Sequence, residues 1–68
     1  MSKYLVFEED MTGEIFVISK RQKAPLGKIT FYGSWKQYVF EPISNAIFND
    51  ECLRDIIQVI QDKNKEGL

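Results

Sequence analysis

The chain predicts an α+β fold, a four-stranded antiparallel sheet (ββββ) followed by one C-terminal amphipathic helix, and three observations predict it. Short β-branched and aromatic runs alternate with turn-forming clusters as far as Pro42. The stretch GKITFYGSWKQYVFEP places two such runs around Gly33-Ser34, and the last third changes to the apolar spacing of a helix. At 68 residues the whole chain, 1–68, makes one small domain. A domain of this size buries only about 60% of its unfolded surface, so a homo-oligomer is expected to help cover its apolar groups.

Residues 3–9 (KYLVFEE) read as the first strand, stopped by the turn-forming Asp10-Met11-Thr12-Gly13. Residues 14–20 (EIFVISK) form the second and close a hairpin with it. Ile15 and Val17 point one way and Phe16 and Ile18 the other, so periodicity cannot choose the buried side. A strand apolar on both sides suits cover on both sides, the second from another subunit. The polar, proline-punctuated link RQKAPL leads to the third strand.

Glycine at the first central position of Gly33-Ser34 suits a two-residue type II′ turn. That turn sets Tyr32 opposite Trp35, Thr30 opposite Gln37 and Lys28 opposite Val39 on one face; Phe31 meets Lys36, Ile29 meets Tyr38 and Gly27 meets Phe40 on the other. Ile29, Phe31, Tyr38 and Phe40 are apolar enough for core. Glu41-Pro42 ends the fourth strand, and residues 43–48 are expected to tuck apolar groups against the sheet. Asn49 then caps a helix whose first turn carries Asp50 and Glu51, with Phe48 positioned to staple onto Leu53. Leu53, Ile56, Ile57 and Ile60 recur on one helical face, flanked by Cys52 and Val59. About fifteen residues give a rod of roughly 22 Å, fraying at Lys63, Asn64, Lys65 and Gly67.

Composition narrows the chemistry. One cysteine, Cys52, and no histidine exclude an intrachain disulfide and a four-ligand zinc site, and fit a reducing cytoplasm. No apolar run is long enough for a bilayer, and the opening Met1-Ser2-Lys3 leads into a strand pattern, so no membrane role is expected. The net charge of −1 divides unevenly: residues 1–19 carry −3, residues 20–36 carry +5 from Lys20, Arg21, Lys23, Lys28 and Lys36, and residues 37–68 carry −3. A basic middle third is compatible with phosphate contacts, although lysines near loops commonly serve solubility alone. Glu8, Glu9, Asp10 and Glu14 lack the alternating spacing of a calcium loop and read as a solvated acidic turn. Cys52, without a histidine base, reads as a small core residue and not as a nucleophile. No nucleophile with a base, glycine-rich phosphate loop or closed metal set is present, so a non-enzymatic protein without cofactors or metals is expected.

The runs Gly27-Lys28-Ile29-Thr30-Phe31-Tyr32, Trp35-Lys36-Gln37-Tyr38-Val39-Phe40-Glu41-Pro42 and Cys52-Leu53-Arg54-Asp55-Ile56 resemble a family of short proteins of bacteriophages and mobile elements, most of them without an assigned role. The resemblance spans roughly the last two thirds of the chain. The ββββα order is also similar to the positive-coactivator and whirly type of single-stranded-DNA-binding proteins, and to one small anti-CRISPR protein of that fold. These resemblances imply a phage accessory protein and a β-surface that binds nucleic acid.

The candidate binding residues are Lys28, Thr30, Tyr32, Trp35 and Gln37 on one face, which mixes flat aromatics with cationic and hydrogen-bonding groups, and Lys36 nearby. Tyr32 and Trp35 suit base stacking, with Lys28 and Lys36 for the phosphates of single-stranded or duplex DNA. The same pair suits hairpin stiffening, a subunit interface, or docking on a host protein as an inhibitor or adaptor.

Overall fold

A computed structural model describes residues 3–66 and contains the expected order: β1 (Leu5–Glu9), β2 (Ile15–Ser19), β3 (Pro25–Tyr32), β4 (Gln37–Pro42) and α1 (Asp50–Glu66). The four strands form one antiparallel meander in the order β1-β2-β3-β4. Helix α1 lies across one face and packs closest to β4. Met1, Ser2 and Gly67, to which sequence reasoning gave a lead-in and a fraying end, lie outside the described residues.

The alternation of each strand sends one set of side chains under the helix. Leu5, Ile15, Val17 and Ile29 are buried there with Cys52 and Ile56 of α1, and Phe7, Tyr38, Phe40, Phe48, Val59 and Ile60 pack around them. That settles the second strand: Ile15 and Val17 face the helix, while Phe16 and Ile18 lie on the opposite face, half-buried. Gly27 is buried in β3 for want of space, since a Cβ there would stand 2.5 Å from the Glu41 carbonyl oxygen. A bulge beside it shifts the β2–β3 register between Val17 and Ile18, so that Val17 pairs with Gly27 and Ile18 with Pro25.

The first turn closes as its residues dictate. The Asp10 carboxylate accepts from the Thr12 and Glu14 backbone N–H groups at 2.9 and 3.1 Å, and Gly13 takes a φ of 90°. The second hairpin differs from the expected type II′ turn. Its loop is four residues long, 33–36, closed by Trp35 N–H donating to the Tyr32 carbonyl and Lys36 N–H to the Gly33 carbonyl. The left-handed residue is Lys36, at φ 55°, in place of Gly33. The pairing accordingly slips by two positions, to Tyr32 with Gln37, Phe31 with Tyr38, Thr30 with Val39, Ile29 with Phe40 and Lys28 with Glu41. A two-residue slip preserves which strand side chains share a face, so Lys28, Thr30, Tyr32 and Gln37 stay together while every predicted cross-strand partner changes, Trp35 leaves its face for the loop, and Phe31, expected in the core, is 55% exposed.

Two other expectations are corrected. Asn49 does cap α1, its side-chain oxygen accepting from Cys52 N–H at 2.8 Å, but the buried stripe runs through Cys52, Ile56, Val59 and Ile60. Leu53 and Ile57 are exposed, because the helix leans its Cys52 side onto the sheet; Phe48 packs edge-to-face on Phe40 and joins the core. In the link before the helix, Ile43 and Ile47 face outward, and Ile47 is 88% exposed, so only its end is tucked in as expected.

Candidate functional site

The helix covers one face of the sheet, and among the described residues no element covers the other. Alternation puts Val6 and Glu8 of β1, Phe16 and Ile18 of β2, Lys28, Thr30 and Tyr32 of β3, and Gln37, Val39 and Glu41 of β4 on this open face. One row across it reads Glu8, Phe16, Lys28, Glu41. The predicted residues Lys28, Thr30, Tyr32 and Gln37 therefore share one surface. Trp35 and Lys36 belong instead to the hairpin loop beyond its end.

Electrostatically the face is not what a basic middle third suggests. Glu14, just ahead of β2, reaches across so that one carboxylate oxygen accepts from Lys28 Nζ and from Thr30 Oγ1, both at 3.2 Å. With Lys28 against Glu8, Glu14 and Glu41, the open face carries a formal charge of −2. The remaining cations separate toward opposite ends, Lys20, Arg21 and Lys23 in the β2–β3 connection and Lys36 in the far hairpin. Local potential needs charges to share a surface, and folding distributes these.

The aromatic pair is real but local. Tyr32 and Trp35 meet edge-to-face with ring centroids 5.1 Å apart, a contact made inside the turn instead of across two strands. Trp35 is 65% exposed. A second edge-to-face pair, Phe31 with Tyr38 at 5.5 Å, lies at the same end on the helix side.

The acidic residues near the first turn do not converge. Glu9 pairs with Lys63 at 3.0 Å, Asp10 closes its own turn, and Glu14 serves Lys28 and Thr30. The Thr12 hydroxyl and the neighbouring amides hold Asp10 below its ordinary pKa, and the hydrogen bond to Glu9 raises Lys63 above its own. Glu14 is the residue of this face that sequence reasoning assigned elsewhere, to a solvated acidic turn. Its position one residue before Ile15, in phase with Phe16 and Ile18, was the signal that it would share their face.

No family model matches the chain, and no solved structure gives a significant match. A curated protein does: the uncharacterized 9.3 kDa protein of Acholeplasma phage L2 is 34% identical over 55 residues, which cover 81% of this chain and 70% of the phage protein. The chain belongs to the family of that phage protein. The expected likeness to short phage proteins is thereby met. The match is longer than the last two thirds in which that likeness was legible.

Proposed function

We propose that this chain is a non-enzymatic accessory protein of a bacteriophage or mobile element that acts by docking its open sheet face on a host protein. One observation carries the reading: the face pairs an apolar ground of Val6, Phe16, Ile18 and Val39 with a net negative charge, left by Glu8 and Glu41 once Glu14 neutralises Lys28. Apolar surface left open on so small a domain favours burial against a partner, and negative potential repels phosphates. A self-associated form that covers the same face is part of this reading. Kinship with a phage protein supports the accessory role.

A second reading, single-stranded nucleic acid, draws on Trp35, which is exposed beside Lys36 at the hairpin tip. The ββββα order it shares with positive-coactivator and whirly proteins, and with the small anti-CRISPR of that type, is a fold analogy. Titrating the fluorescence of Trp35, the one tryptophan, with single-stranded and duplex DNA separates the two. Host-protein docking predicts no saturable change even at about 50 mM salt, whereas nucleic-acid binding predicts quenching that weakens steeply as salt rises. Docking further predicts that Val39→Asp, on the open face, abolishes capture of a host protein that Ile57→Asp, on the helix, still captures.

A further inference from the structure

We infer that the outer edge of β1 pairs antiparallel with β1 of a second copy of this chain, around a two-fold axis at Phe7, so that two four-stranded sheets run on into one. This interface is distinct from the open face and independent of the docking reading. The backbone decides which groups are on offer. Asp10 N–H donates to the Glu14 carbonyl and Lys20 N–H to the Tyr4 carbonyl, so the even-numbered residues along this strand turn their backbone groups toward β2. Phe7 and Glu9 therefore point theirs outward, and β1 is the end strand of the sheet.

The two edges of the sheet are unlike. On β4, Pro42 lacks a donor, Asn64 accepts from Tyr38 N–H, and α1 packs closest to that strand. β1 contains neither proline nor glycine and keeps an unbroken register with β2. Its acids select the alignment. A parallel pairing in register would set Glu8 and Glu9 against their own copies, and an antiparallel one centred on Glu8 would set Glu8 against itself. Centred on Phe7, Glu8 stands opposite Val6 and Glu9 opposite Leu5, and the exposed Lys3 of each copy comes toward the acids of the other. Glu9 is already paired with Lys63 at 3.0 Å. Exposed charges of this kind orient the strands and add little strength. The strength comes from Phe7, which exchanges both backbone hydrogen bonds with its own copy and, half-buried at the edge, covers the same ring of the other chain. Such an axis stands perpendicular to the sheet, so both helices fall on one side and the two open faces join on the other.

The test is sedimentation equilibrium of the full chain between about 10 μM and 1 mM, the range suited to so short an edge, with chains made by chemical synthesis to carry one backbone N-methyl group. The natural chain should pass from 8.0 kDa toward twice that mass, and hydrogen exchange at the Phe7 amide should slow as concentration rises. N-methylation at Phe7 removes the outward donor and spares the bonds to β2. It should weaken association by about tenfold or more, whereas N-methylation at Phe40, whose N–H faces outward on β4, should change it by less than about twofold. Val39→Asp, on the open face, should leave it intact. If the chain methylated at Phe7 does not fold, exchange at Phe7 in the natural chain decides. The proposal is overturned if the natural chain stays monomeric at about 1 mM, if exchange at Phe7 is independent of concentration, if the two methylated chains associate alike, or if Val39→Asp abolishes association, which would place self-association on the open face.

Discussion

The backbone N–H of Tyr38 donates to Asn64 Oδ1 over 2.7 Å, so the last turns of α1 close part of the outer edge of β4. Along an antiparallel strand, N–H groups alternate between the paired and the free side. Tyr38, Phe40 and Pro42 point their backbone nitrogens to the free side; Asn64 occupies the first, and proline leaves the last without a donor. An incoming strand thus finds fewer free donors at this edge.

Asn64→Ala should therefore lower stability by about 0.5–1.5 kcal/mol and speed hydrogen exchange at the Tyr38 amide, with more aggregation on heating. Asn64→Asp keeps an acceptor and should protect that amide better than alanine does. Equal exchange at Tyr38 in all three proteins would show that the side chain does not guard the edge.

Neighbouring isoleucines of α1 should respond oppositely to truncation. Ile56 is 2% exposed under the sheet and Ile57 is 51% exposed on the flank. Ile56→Ala should cost about 2–5 kcal/mol, enough to unfold much of a marginal domain, and Ile57→Ala under about 1 kcal/mol. Similar thermal midpoints for the two variants would mean that the helix is rotated from the orientation described.

These positions show what the sequence could and could not disclose. Element order followed from strand-like runs, turn clusters and a capped helix, because each is a local property. The face that Lys28, Thr30 and Tyr32 share followed from alternation, which a two-residue slip leaves intact. The turn length did not, since Gly33-Ser34 satisfies a two-residue turn and nothing local says that Lys36 will take the left-handed position. Helical periodicity gave one broad apolar stripe, but its tilt depends on the sheet beneath, which takes Cys52 and Ile56 and leaves Leu53 and Ile57 out. Likewise the Glu14 contact to Lys28 spans fourteen positions and exists only once β2 and β3 pair.

Gly27→Ala tests the close approach of β3 and β4. The added methyl would meet the Glu41 carbonyl oxygen at 2.5 Å and the Phe40 ring at 2.8 Å, and the backbone contact cannot be relieved by a rotamer change. A loss of at least about 1–3 kcal/mol is expected, measured by urea denaturation. Gly33→Ala, where a Cβ meets nothing within 4 Å, should leave the midpoint nearly unchanged.

The first turn should make stability fall at acid pH. Asp10 titrates below its ordinary value of 3.8 in the folded chain, chiefly through the Thr12 hydroxyl, so its contribution is complete above that value and is lost as pH falls through the lower folded one. Asp10→Asn keeps the acceptor oxygen and removes the titration. Urea midpoints measured between about pH 2 and 5 should decline more steeply for the natural chain than for the variant. Lys63 acts with the opposite sign: its raised pKa leaves its pairing with Glu9 intact below the ordinary 10.5 and loses it as pH rises through the higher folded value.

If nucleic acid does bind, the lysines should not contribute alike. Glu14 holds Lys28 at 3.2 Å, whereas Lys36 sits in the exposed hairpin loop next to Trp35. Releasing Lys28 to a phosphate requires breaking its contact with Glu14, which offsets the gain; Lys36 involves no such exchange with Glu14. Lys36→Ala should then flatten the dependence of log affinity on log salt by about one unit, and Lys28→Ala should hardly change it. Trp35→Ala should weaken single-strand binding at every salt concentration by about 1–3 kcal/mol. A natural chain that binds neither single-stranded nor duplex DNA at about 50 mM salt would leave host-protein docking as the function of the open face, with Trp35 a structural partner of Tyr32.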